Sequence, residues 1–319
     1  MKLNYRRTFF VGLAFLSICA FWQLYENIVP LILKNTFGIK DTASGVIMAL
    51  DNVLALFMLP LFGTLSDKTA TPLGKRMPFI LGGTALAVIS MIFMPVGDNA
   101  GILSIFLIAL LITLVAMSTY RSPAVALMPD VTPKPLRSKA NAIINLMGAI
   151  GGAVTLGLIA LMVPDADKPN YFPVFAIIAA LMVISVVVLL LTIKENKLVA
   201  EMQALNGHQV QEEAAEKNKE RMAPEVRKSL IFILASIFFW FMAYNAVTTA
   251  FSKYAQDYLG IKGGGFAANL LIATVAAIIS YIPVGFIASK VGRKKTILVG
   301  IVMLFVSFAA AGLFTAYSP

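Results

Sequence analysis

Two acids, Glu26 and Asp51, lie deep inside long apolar runs. An ionised carboxylate in lipid is costly unless it is paired or hydrated, so such a residue is read first as functional. Glu26 comes seven residues before the end of a run over 8–33, and Asp51 eight residues after the start of a run over 43–65. At roughly 1.5 Å per residue both sit about 11 Å below the same edge. Two neighbouring carboxylates in a low dielectric cannot both ionise cheaply, which makes the pair a natural proton-binding site. The structural alternative is that Asp51 only ties neighbouring helices together. Trp22, Gln23 and Asn27 accompany Glu26 at i,i+3 and i,i+4 spacings, hence on one helical face. An amide, a carboxylate and an indole on one face suit a sugar: polar groups for its hydroxyls and a flat apolar ring for its C–H side. Trp240, Tyr244, Asn245 and Thr248 repeat that theme in a later run. Anchoring at the membrane surface is the competing role for the two tryptophans. Arg121 is the one basic residue attached to an apolar run, near the inner end of 101–122. There it is a candidate for substrate contact or for snorkelling to the aqueous edge.

Other chemistries find little support. Cys19 is the only cysteine and lies in an apolar run; His208 is the only histidine and lies in a charged stretch. A thiolate or histidine metal site, a catalytic triad and a disulfide framework are therefore not expected. Gly263-Gly264-Gly265 lacks the Lys-Ser/Thr ending of a phosphate-binding loop and reads as a turn. With no nucleotide-binding motif, no cofactor, no metal and no catalytic residue are assigned, and an intramembrane enzyme is disfavoured. Energy for any vectorial step is expected from an ion or substrate gradient.

The elements that must position these side chains are membrane spans. Of 319 residues, 59% are hydrophobic and 13% charged, against about 25% charged in soluble domains. Apolar runs long enough to cross a ~30 Å hydrocarbon core alternate with short charged segments, so the fold class is an all-α membrane protein. Nine spans are read at 8–33, 43–65, 78–96, 101–122, 139–163, 171–193, 229–252, 268–288 and 296–317. The N-terminal Lys2, Arg6 and Arg7 resemble the start of a signal peptide. The apolar run that follows continues to Leu33 without a small-residue cleavage site and reads as a retained first span. With the N-terminus placed inside, 20 Lys and Arg fall on inner segments and 5 (Lys34, Lys40, Lys168, Lys253, Lys262) on outer ones. That asymmetry favours a multi-pass protein of the cytoplasmic membrane with its N-terminus in the cytoplasm. It also assigns the net charge of +10 to the lipid bilayer and not to a nucleic-acid partner.

Residues 194–228 form the one long soluble stretch, with seven basic and seven acidic residues, and read as a solvated, partly helical cytoplasmic linker. The chain matches itself across it. Phe21-Trp22 with Asn27 corresponds to Phe239-Trp240 with Asn245, Gly38-Ile39-Lys40 to Gly260-Ile261-Lys262, Gly63 to Gly285, and Gly74-Lys75-Arg76 to Gly292-Arg293-Lys294. Four matches in the same order, with a repeat unit of six spans, indicate a parallel repeat about an axis along the membrane normal. The expected organisation is a six-helix half over 1–193, the linker over 194–228 and a partial second half of three helices over 229–319.

The run Gly63-Thr64-Leu65-Ser66-Asp67-Lys68 followed by Gly74-Lys75-Arg76-Met77-Pro78-Phe79 resembles the loop signature between helices two and three of the major facilitator superfamily. Its ending is similar to the sucrose-transporter-like and glycoside–pentoside–hexuronide:cation symporter branches. Asp51-Asn52, Arg121 with Pro123, Asp130, Pro133 and Arg137 fit the same group. The resemblance implies a helical bundle of about twelve helices in two halves, of which nine are present here, so that a truncated carrier is expected. It implies proton- or sodium-coupled symport of a small molecule, a sugar first among candidates. Proton-coupled export of drugs or metabolites and a non-transporting remnant are the alternatives. It places a substrate- or coupling-relevant arginine in the region of Arg121. Asp67, Lys75, Arg76, Asp130 and Arg137 become candidates for a cytoplasmic gate, a charge network that holds the inner face closed and breaks on opening. Ser289 stands where the second copy would repeat Asp67, making such a latch asymmetric. Gly148, Gly151 and Gly152, with Asn141 and Asn145, read as a small-residue face for close helix packing.

Overall fold

The computed structural model describes residues 3–166, 168–202, 204, 224–261 and 263–317. His208, Lys2, Lys262 and most of the charged stretch 203–223 lie outside the described residues, as do the side chains of Ser289 and Arg293. The elements in chain order are α1 (Tyr5–Asn35), α2 (Asp41–Met48), α3 (Leu50–Lys68), α4 (Met77–Ala100), α5 (Leu103–Asp130), a 3-10 turn over Lys134–Leu136, α6 (Arg137–Met162), α7 (Phe172–Thr192), α8 (residues 195–202), α9 (Pro224–Asp257), α10 (Gly265–Val291) and α11 (Arg293–Tyr317). Every expected span coincides with a helix or, in one case, a pair of helices. Eight stretches among the described residues are long and apolar enough to cross a membrane.

Bare backbone lets α1 pack into the bundle. A Cβ on Gly151 of α6 would stand 2.1 Å from the Leu16 carbonyl oxygen of α1, and one on Gly148 would stand 2.9 Å from Cys19 Sγ. Only glycine permits that approach, and Thr155 Oγ1 follows it with a 3.1 Å hydrogen bond to the Ala20 carbonyl. The expected small-residue face of α6 is therefore the seam between α1 and α6. On another side of α1, Tyr120 of α5 is fully buried and donates to the Ala14 carbonyl at 2.9 Å. Gly83 of α4 admits the Tyr120 backbone at what would be 2.9 Å from a Cβ.

Three boundaries differ from the reading of the sequence. The second span is not one helix. It breaks at Ala49, where the Asn52 amide bonds to the Ala49 carbonyl at 3.1 Å. The Met48 carbonyl accepts instead from the Tyr25 hydroxyl of α1 at 3.1 Å. The fourth span continues through Pro123 and Pro129 to Asp130, because a proline costs a helix only its own amide bond and one crowded carbonyl, which packing and neighbouring hydroxyls absorb in membrane helices. Third, the stretch after 193 opens with helix over 195–202, as a partly helical linker allows, but Glu195 in it is 1% exposed and not solvated.

The contacts of α9–α11 with the preceding helices gather at one end of the bundle. Lys34 pairs with Asp257, Lys253 Nζ lies 3.1 Å from Asp41 Oδ1 and 2.9 Å from Ser44 Oγ, and Asn35 Nδ2 reaches Gln256 Oε1 at 3.4 Å. The Gly264 amide donates to the Val163 carbonyl at 3.0 Å, joining α10 to the end of α6. This is the end away from the N-terminus. Toward the other end the side chains of α9, among them Phe232, Leu234 and Phe239, stand exposed.

Candidate functional site

Helix register and the break in the second span set the geometry of the acidic pair. Glu26 faces inward from the middle of α1, partly buried. The break at Ala49 restarts the helix just before Asp51, so Asp51 falls in the first turn of α3, where the helix dipole favours a negative charge. Asn52 Nδ2 donates to Asp51 Oδ1 at 2.8 Å. Asp51 and Arg121 both act electrostatically on Glu26 across the space between α1, α3 and α5. The extension of α5 places Arg121 nine residues before the helix end, with the residue exposed. Its guanidinium lies over the Trp22 ring, 5.7 Å from the centroid, within the range of a cation–π contact. Trp22 is held edge-on between Phe21 and Tyr25, with centroids at 5.3 and 5.4 Å. Its buried indole Nε1 has no hydrogen-bond partner.

The remaining candidates divide. Gln23 turns toward α6, its Oε1 3.5 Å from where a Gly152 Cβ would be. Asn27 is 2% exposed and bonds back to the Gln23 carbonyl at 2.8 Å, leaving Oδ1 unpartnered. Trp240 and Tyr244 stack on each other at 5.7 Å on α9 and are 42% and 40% exposed. A cavity of about 820 Å³ opens between α2 and α9, with Pro30, Met48, Asn52, Phe238, Phe241 and Asn245 in its wall. Of the residues expected to contact substrate, only Asn245 lines it. Glu26, Asp51 and Arg121 are not in its lining. Among the described residues no three His, Cys, Asp or Glu stand close enough to hold a metal ion.

At the N-terminal end of the bundle four of the five expected gate residues meet. Arg76 is 4% exposed and bonds through Nε to Asp130 Oδ2 at 3.0 Å, and through its other nitrogens to Asp67 and Ser66. Lys75 Nζ reaches the same Asp130 oxygen at 3.2 Å. Arg137 departs from the expectation: its guanidinium donates to the carbonyls of Pro129 at 2.8 Å and Thr132 at 3.4 Å, not to a carboxylate. The fifth member is Glu195, whose carboxylate accepts from the amides of Lys75, Arg76 and Met77, all at 3.0 Å. It thereby caps the N-terminus of α4, whose own cap residue offers no side-chain bond. Every partner in this cluster belongs to α3–α8. The network braces the first group of helices, with no partner on α9–α11 among the described residues. The ion pairs that bridge the two groups are at the opposite end. Lys34 and Lys253 entered the sequence reading only as outer cations. Their partners, Asp257 and Asp41, lie far away in sequence, and no local spacing points to them.

The family model described as Major Facilitator Superfamily matches residues 11–319. The chain belongs to the major facilitator superfamily. This superfamily member is 29% identical over 149 residues to the sucrose transport protein SUC3 of Arabidopsis thaliana. The aligned region is 41% of this chain and 25% of that protein, so the chain spans well under two thirds of that relative. Among solved structures it is similar to a D-xylose-proton symporter, with a TM-score of 0.63 and 14% identity over 89% of this chain and 68% of that one. It is also similar to the xylose transporter XylE from E. coli in a partially occluded inward-open conformation, with a TM-score of 0.59 and 14% identity over 91% of this chain and 73% of that one. At such identities the likeness is one of fold. The all-helical bundle read from the sequence is thus the superfamily's fold, and the chain is a multi-pass membrane protein.

Proposed function

We propose that the chain carries out proton-coupled uptake of a sugar or glycoside across the cytoplasmic membrane, its N-terminus in the cytoplasm. The observation that carries this reading is the grouping of Glu26, Asp51, Arg121 and Trp22 on three different helices. An unprotonated Glu26–Asp51 pair holds the Arg121 guanidinium by attraction. Protonation of one carboxylate removes that hold, and the guanidinium turns its donors to sugar hydroxyls. Trp22 fixes Arg121 from below, and Asn52 and Asn245 supply amides from the cavity wall. Sugar and proton bind together, and the two groups of helices rock about them. Lys34–Asp257 and Lys253–Asp41 hold the outer ends together while the load leaves inward, then part so that the outer end opens again. The xylose–proton symport named for the matched structure and the sucrose transport named for the plant relative support this class of load.

External alkalinisation on adding candidate mono- and disaccharides to everted or right-side-out vesicles tests the proposal. Proton disappearance that tracks sugar entry is the expected result; sugar entry without proton movement removes the coupling. A second reading, proton-coupled export of drugs or metabolites, is favoured by one observation: Pro30, Met48, Phe238, Phe241 and Met242 put large apolar side chains in the wall of the cavity between α2 and α9. Efflux of a lipophilic cation that depends on the chain, with no sugar entry, selects that reading.

A further inference from the structure

At the N-terminal end of the bundle, the start of α1 and the segment after α7 enclose a cleft of about 440 Å³. Arg6 and Arg7 line it from one side, Lys194 and Lys197 from the other, and Glu201 is the one acid among the described residues of its wall. Arg7 Nη1 lies 3.9 Å from Glu201, a loose pair, and Arg6 rests on the Phe10 ring at 5.8 Å. Four cations around a cleft with one acid repel one another at short range. The arrangement gains when an anion sits among them. Neither the acidic pair nor the Arg76 cluster uses any of these residues.

The position of the cleft says which anion. The apolar stretch of α1 begins at Thr8 and that of α7 ends at Thr192, so the cleft lies at the level where a bilayer places its phosphates. The same two helices carry exposed apolar side chains: Phe9 is 46% exposed, and Ile184, Val187 and Leu191, at helical spacing on α7, are 61%, 45% and 73% exposed. Tyr5, 67% exposed beside the cleft, is a residue type that collects at the headgroup layer. We infer that this cleft binds the phosphodiester headgroup of an anionic phospholipid in the leaflet facing the N-terminus, with the acyl chains along the α7 stripe. Basic pockets between spans at a membrane surface take such headgroups, each cation adding to the attraction.

Native mass spectrometry of the purified full chain in detergent, with phosphatidylglycerol or phosphatidylcholine added, tests the inference. Phosphatidylglycerol is retained in preference to phosphatidylcholine. Lys194→Gln/Lys197→Gln lowers that retention on the order of tenfold, whereas the equal charge change Lys68→Gln/Lys139→Gln, elsewhere on the same end, leaves it as in the parent. Glu201→Gln, which removes that acid from the cleft, raises retention, a change of opposite sign that poor folding does not mimic. Millimolar inorganic phosphate leaves the lipid bound. Equal loss in the two double variants, no gain in Glu201→Gln, or displacement by inorganic phosphate overturns the assignment, the last by pointing to a soluble phosphate instead.

Discussion

Removing the Glu195 carboxylate should loosen the N-terminal end of the first seven helices more than any other single change there. It accepts three amide hydrogens at 3.0 Å, from Lys75, Arg76 and Met77, and is 1% exposed. Hydrogen bonds to a charged acceptor contribute about 1.5–3 kcal/mol each, though three on one carboxylate do not add fully. Stripping one partner from a buried charged arrangement costs about 3–5 kcal/mol, and that is the expected loss for Glu195→Ala. At about 2–4 °C per kcal/mol for a chain of this size class, thermal unfolding in detergent falls on the order of 10 °C. Glu195→Gln keeps a carbonyl acceptor and loses less. Gly74 supplies an internal check. Its φ is +121°, and a Cβ there would meet Glu195 Oε2 at 2.1 Å. Gly74→Ala is therefore damaging in the parent chain, and its extra cost shrinks in the Glu195→Ala background because the clash partner is gone, leaving the backbone strain. A Glu195→Ala loss below about 1 kcal/mol, or full additivity of the two changes, refutes the capping argument.

Other expectations are direct. Gly151→Ala places a Cβ against the Leu16 carbonyl and should destabilise the chain by about 1–3 kcal/mol or more; Gly45→Ala, which meets nothing within 4 Å, should not, and the two melting curves decide. Lys34→Gln/Lys253→Gln cuts both outer ion pairs. Since partly exposed pairs contribute up to about 1 kcal/mol each, the population open at that end should rise by roughly thirtyfold at most. Labelling of an Asn245→Cys variant in a Cys19→Ala background by an impermeant maleimide reports that shift. Unchanged labelling means the pairs do not hold the outer end.

The spans were legible because length and apolarity of a run are local properties, and a bilayer demands both. What escaped were features decided by distant partners. Ala49 carries no breaking residue; the second span breaks there while Tyr25 of another helix satisfies the Met48 carbonyl. The expected fourth span stops at 122, whereas α5 runs on through Pro123 to Asp130, so Arg121 sits nine residues before the helix end and not at it. Glu195 looked like one charge of many in a linker because the amides it caps lie about 119 residues earlier. The Lys253–Asp41 and Lys34–Asp257 pairs join residues 212 and 223 apart in sequence, and no spacing rule connects them.

The central claim is that a carboxylate at Glu26 carries the proton that drives uptake. Glu26→Gln in proteoliposomes, measured both for sugar exchange at equal concentrations and for accumulation under an imposed pH gradient, tests it most directly. Exchange that persists with accumulation lost is the predicted result. Gradient-driven accumulation as high as in the parent chain contradicts it.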